Sequence, residues 1–174
     1  MTGVQTCALP ICLEKFTTGV QAVVENYSGF LIYAGGDDVL ALLPLEYALN
    51  CAKELRGHYI DSFSDYPDIN TTLSGAIEYA HIKMPLGKVL SDAHYLLDDI
   101  AKEKTGRDAI AVRVWKPGGQ HLQWAMPWEK AFNDKGEVAI QALANDFQKD
   151  QQETSFSNSF FFNVEERLDR KSVV

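Results

Sequence analysis

Two apolar runs separated by Gly35-Gly36-Asp37-Asp38 constrain this chain more than any other feature. Gly29-Phe30-Leu31-Ile32-Tyr33-Ala34 precedes those four residues and Val39-Leu40-Ala41-Leu42-Leu43 comes after them. Each run is long enough for a strand, and Gly-Gly supplies the positive-φ positions of a tight turn. The stretch therefore predicts a β-hairpin with two adjacent carboxylates at its tip. Apolar residues on both faces of both runs point to a central hairpin rather than an edge one. Asp is also an ordinary turn residue, so a solvated turn is the plain alternative. Two carboxylates so placed can hold Mg²⁺, and the glycines let phosphate groups approach the backbone.

Around the hairpin the apolar periodicity alternates between helix and strand. Leu13 to Glu25 reads as a helix with Phe16, Val20 and Val23 or Val24 on one face, broken by Asn26-Tyr27-Ser28-Gly29. Pro44 opens a second helix, carried by Leu45, Ala48, Leu49, Ala52 and Leu55, and Gly57 closes it. His58 to Asn70 reads as a connector, in which Asp61, Asp65 and Asp68 belong to a solvated loop rather than a metal cluster. Thr72 to Ala80 alternates as a strand. His81 after it reads as a hydrogen-bonded structural histidine, and Lys83 as a surface lysine with phosphate contact as the sharper alternative. A long amphipathic helix runs from Leu86 through Ala101 and ends by Gly106. Ala109 to Trp115 is a strand, and Pro117-Gly118-Gly119 turns the chain into a short strand from His121 to about Met126. Beyond Pro127 two helices are predicted, Glu137–Phe147 and Ser155–Leu168, joined by a polar linker.

Charge bounds the partners. The 174 residues carry a formal net charge of −8, which argues against a self-sufficient nucleic-acid binder, because phosphate contacts need clustered Lys and Arg. No apolar run approaches the roughly 20 residues needed to cross a bilayer, so no membrane partner is expected. Residues 1–12 and 170–174 resemble translated sequencing-adapter reads and are set aside as non-native. That leaves Cys51 as the remaining cysteine, expected as a buried thiol, and a reducing cytoplasm as the expected location.

Three blocks carry a family resemblance: Leu31 through Pro44, Ser74-Gly75-Ala76-Ile77 through Ala80-His81-Ile82-Lys83-Met84-Pro85-Leu86, and Gly106 through Val114. In that order they resemble the second palm domain of the large subunit of type III CRISPR effector complexes, the Cmr-type (III-B) version above all. The fold implied is α+β, a ferredoxin-like palm of the nucleotide cyclase and polymerase kind. It spans residues 13–126, is incomplete at its N-terminal strand, and is succeeded by a partial helical domain over 127–169.

The resemblance also implies chemistry. ATP is the substrate, polymerised to cyclic oligoadenylate on target-RNA sensing, with Mg²⁺ or Mn²⁺ as cofactor. Asp37 and Asp38 are the implied catalytic and metal-binding residues, and Gly35 and Gly36 the implied nucleotide-binding ones. The implied partners are the other effector subunits, with guide and target RNA met through the complex. A palm kept as a structural, RNA-sensing scaffold is the alternative. A diguanylate cyclase is disfavoured, since Val39-Leu40-Ala41 comes after Asp38 without the expected phenylalanine. In the family a further strand with its own aspartates precedes the first helix, and here only residues 1–12 stand in that position. Half of a two-metal site is therefore expected to be missing, and the chain alone is expected to be inactive.

Overall fold

A computed structural model of the chain describes residues 3–132 except Pro117, together with Gly136, Val138 and Ala139; for residues 3–7 it describes the backbone only. One unit covers Met1–Ala131 and a second begins at Phe132. The two helices predicted beyond Pro127, their linker and residues 170–174 lie outside the described residues.

The first unit opens with helix α1, Gly3–Asn26. It begins well before the predicted start at Leu13, and the helix passes through Cys12 into Leu13 without a break. The reason is a single stripe of small and apolar side chains four residues apart. Ala8, Cys12, Phe16, Val20 and Val24 are all buried, so the stripe continues to Ala8, upstream of the expected boundary. Setting residues 1–12 aside from the packed core was therefore wrong for Ala8 and Cys12, while Leu9 and Ile11 on the same helix are exposed.

The predicted hairpin comes next as β1, Phe30–Gly35, and β2, Asp38–Leu42, paired antiparallel. Its inner face, Leu31, Ala34, Val39 and Ala41, packs on the α1 stripe together with Cys51, Tyr59 and Phe63. Helix α2, Ala48–Ser62, starts after Pro44 rather than at it, and runs through Gly57 into the stretch expected as a connector. Packing overrides the glycine there. Tyr59 is buried edge-on against Phe16, with ring centroids 5.1 Å apart, and the His58 imidazole lies 3.0 Å from the Phe16 carbonyl oxygen. A methyl group at Gly19 would sit 2.2 Å from His58 Nε2, so the two helices cross where α1 lacks a side chain. Cys51 is fully buried as expected, and that burial pushes its thiol up to about 11.

The second half of the unit is a three-stranded sheet ordered β3-β4-β5: β3 is Gly75–Tyr79, β4 Ala109–Trp115 and β5 His121–Pro127. β3 runs parallel to β4 and β5 antiparallel to it. Between β3 and β4, helix α3 (Leu86–Tyr95) passes into a π-helical stretch, Leu96–Lys104, where one regular α-helix was expected. Leu96, Ile100 and Ala101 from this stretch pack on Ala109 and Ala111 of β4, with Ala76 and Ala125 beside them. The chain leaves it through Gly106, Arg107 and Asp108, all at positive φ. The Arg56 guanidinium forks onto the Asp108 carboxylate at 2.9 and 2.8 Å, tying α2 to the start of β4. A short helix, α4 (Trp128–Ala131), closes the unit, so the unit runs past the expected boundary at Met126. Trp128 anchors this end by donating its indole N–H to the Leu73 carbonyl at 2.7 Å.

The element order, helix–strand–strand–helix–strand–helix–strand–strand, is consistent with the α+β, ferredoxin-like palm expected. β2 pairs only with β1 and β3 only with β4, and the two sheets exchange no ladder among the described residues. Among the described residues β2 and β3 are therefore each paired along one edge only.

Candidate functional site

The hairpin tip is built by a two-residue turn. Gly35 pairs with Asp38, leaving Gly36 and Asp37 at the bend. Of the two glycines only Gly36 has a positive φ, 63°, and Asp37 does not. Positive φ at the first central position alone is the type II′ pattern, which matches the twist of the flanking strands. Gly36 is needed for that conformation, and the space where its side chain would stand is open. Gly35 is a strand residue with a different role. A Cβ there would meet the hydroxyl end of Tyr33, whose ring lies along the strand over it. Of the two proposed backbone approaches, the one at Gly36 is bare and the one at Gly35 is covered by a movable side chain.

A β-bulge just before the tip re-aims the strand. Leu31 pairs with Ala41 and Tyr33 with Leu40, so Ile32 has no partner residue of its own. As a result Ile32 and Tyr33 are both exposed, at 46% and 56%. Phe30 (68%) and Leu42 (57%), directly opposite each other, continue this outward face. Strand alternation places Asp38 on it as well, with Leu40 and Leu42. Asp37 and Asp38 are exposed, and among the described residues neither carboxylate has a hydrogen-bond or ion-pair partner.

These two carboxylates are the donors the turn can offer to a hard divalent cation such as Mg²⁺ or Mn²⁺. Among the described residues no group of three or more His, Cys, Asp or Glu side chains closes around an ion. The donor set fits part of a metal site, with further ligands to come from elsewhere. Thr17 of α1 reaches the same turn: its hydroxyl lies 3.1 Å from the Gly36 carbonyl oxygen and 2.7 Å from that of Leu13.

Comparison with known proteins identifies the family of the chain. The family model described as Cas10/Cmr2, second palm domain, matches residues 4–111. The chain belongs to that family. The CRISPR system Cmr subunit Cmr2 of Pyrococcus furiosus is 39% identical over 111 residues, covering 63% of this chain and 13% of the relative. The Cmr2 subunit of Saccharolobus solfataricus is 30% identical over 115 residues, 55% of this chain and 10% of the relative. The palm described here is thus Cmr2-like and spans about a tenth of the length of the curated relatives it matches.

Other candidates on the palm sort differently. Asp65 lies 3.5 Å from Lys15, in an ordinary exposed ion pair. His81 Nδ1 accepts a hydrogen bond from the Lys83 backbone N–H at 3.2 Å, shaping its own turn, and Lys83 is exposed. A groove of about 600 Å³ between α1 and α2 is lined by Val23, Tyr27, Glu54 and His58 and takes no residue from the hairpin turn. On its wall Tyr27 donates to Glu54 at 2.7 Å, and that bond pushes the phenol up to about 12.

One polar network escaped the sequence reading. Arg113, 5% exposed, donates to Gln123 Oε1 at 2.6 Å and lies 3.6 Å from Asp92. Lys88 bonds Asp92 at 2.9 Å and stands 4.4 Å above the Trp115 ring. The Trp115 indole N–H donates to one Glu78 oxygen, while the other is buried without a partner among the described residues. Burial holds the Glu78 carboxyl above the usual carboxylate range, against the pull of Trp115 and Arg113. On β3 and β4 these residues stand opposite each other, Glu78 against Arg113. Neither type marks a buried position by itself, which is why the strand pattern did not expose them. No transmembrane-length apolar helix occurs among the described residues.

Proposed function

We propose that this palm contributes the Gly-Gly-Asp-Asp half of a nucleotidyl-transfer site in a type III CRISPR large subunit, joining ATP into cyclic oligoadenylate in antiviral defence. The observation that carries this reading is a pair of exposed carboxylates, without a partner among the described residues, at the tip of a palm hairpin in a Cas10/Cmr2 family chain. Asp37 and Asp38 would hold Mg²⁺ or Mn²⁺. When bound, such ions make a 3′-hydroxyl more acidic and neutralise charge on the transferring phosphate and the departing pyrophosphate. The chain's own share is placement. The Gly36 backbone is open to a phosphate oxygen, Gly35 becomes so when Tyr33 swings aside, and Asp38 shares its face with the apolar Leu40, Leu42 and Phe30.

The partners proposed are the other subunits of a Cmr-type effector in the cytoplasm, with guide and target RNA met through them. The net charge of −8 supports contact through partner subunits rather than directly. In the complete subunit, Asp37→Ala with Asp38→Ala should abolish ATP turnover and leave complex assembly intact. Normal oligoadenylate production by that variant would sink the assignment. Assembly and RNA sensing by an unmodified subunit that turns over no ATP would instead favour a scaffold role.

A further inference from the structure

We propose that Thr17 is a positioning residue for the carboxylate-bearing turn, an inference that rests on reading Asp37 and Asp38 as the reacting site's carboxylates. A threonine inside a helix ordinarily satisfies its hydroxyl on the carbonyl four residues back, and Leu13 offers that acceptor at 2.7 Å. The same oxygen also lies 3.1 Å from the Gly36 carbonyl oxygen, outside the helix. A hydroxyl has one proton, so it divides between two acceptors or alternates between them. Among the described residues it is the only side chain hydrogen-bonded to the turn.

The two ends of this bond differ in rigidity. Thr17 sits next to Phe16 in sequence, and Phe16 and Val20 are fully buried in the α1–α2–hairpin core. The turn is exposed at Asp37 and Asp38, and its fixed points are the strand ladder and this hydroxyl. The bonded carbonyl belongs to the peptide that leads into Asp37, so the bond sets the plane from which that carboxylate projects. Positioning of this kind governs how well a site holds reacting groups in line. The structure therefore assigns Thr17 to the site although it touches no substrate.

The test uses Thr17→Val, which keeps the shape and removes the hydroxyl, Thr17→Ala, which removes it with a better helix former, and Thr17→Ser, which keeps it. In the 174-residue chain, amide exchange at Asp38, the residue closing the hairpin against Gly35, is expected to rise about five-fold in the Val and Ala variants, the scale of one lost hydrogen bond. Exchange at Ile110 on β4 should not change, and Thr17→Ser should restore the parent rate. In the complete subunit the Val and Ala variants should lower kcat with KM for ATP held within about two-fold, and serine should rescue it. Parent-like exchange at Asp38 in both Val and Ala variants would overturn the proposal, as would a serine variant that behaves like valine. If the unmodified subunit makes no oligoadenylate, the nucleotidyl-transfer reading fails, while the exchange measurement still decides whether Thr17 holds the turn.

Discussion

The two sheets of the first unit solve opposite problems. In the three-stranded sheet the central strand is sealed: Ala109, Ile110, Ala111 and Val112 are at most 2% exposed, and the π-helical stretch covers one face. The hairpin is buried on one face only, and the other carries Phe30, Tyr33 and Leu42 more than half exposed beside two carboxylates. One sheet is organised to be stable and the other to present groups. The hairpin can leave a face open because its inner side chains sit on the α1 stripe, which is itself locked against α2 through Phe16, His58 and Tyr59.

The largest expected effect separates the two faces of the hairpin half. Phe16→Ala should cost about 3–5 kcal/mol, as a fully buried phenylalanine between two helices and a strand. Phe30→Ala, on the outward face, should stay within about 0.5 kcal/mol. Urea denaturation of both variants reads the difference directly. A large loss at Phe30 would mean that the outward face is covered in the folded chain, and the contrast would collapse.

A smaller effect sharpens the comparison at the tip. Gly36→Ala forces a side chain into a positive φ and should cost about 1 kcal/mol. Gly35→Ala needs only the exposed Tyr33 ring to move and should cost less. The reverse order would show that Tyr33 is held in place over Gly35. Thermal melts of the two variants resolve the order.

The smallest effect lies in the stable sheet. Glu78 has its folded value raised from an ordinary 4.5, so above that pH the unfolded chain gives up the proton more readily than the folded one. Stability should therefore fall as pH rises through the window between 4.5 and the raised value, and the deficit should persist above it. Glu78→Gln keeps a partner for the Trp115 indole and should flatten that step. A variant with the same pH profile as the parent would show that Lys88, Arg113 and Trp115 already stabilise the ionised form.

Much of this was legible in the sequence because it depends on period. The hairpin, the two helices packed beside it and the strands around Ile77 and Val112 can be read from apolar spacing and turn residues. What was missed depends on tertiary contacts. Gly57 reads as a helix end until His58 and Tyr59 find Phe16 across the crossing at Gly19. The bulge at Ile32 is invisible in a run that is apolar throughout, and the π-helical turns keep the same leucine and isoleucine positions as an α-helix would. At the hairpin tip the pair Asp37 and Asp38 reads from the two apolar runs around Gly35-Gly36, and their proposed role from the family resemblance. Thr17 could not be read that way, because its partner is a backbone carbonyl nineteen residues away.

On the proposed reading Asp37 and Asp38 are part of a metal site, and among the described residues no group of three or more His, Cys, Asp or Glu side chains closes around an ion. The direct test incubates the purified chain with ATP, Mn²⁺ and a target-bound effector lacking its large subunit, with the complete subunit as the positive control. Oligoadenylate should form with the complete subunit and not with the chain. Product from the chain alone, lost on Asp37→Ala with Asp38→Ala, would show that its own carboxylates suffice and would contradict the account.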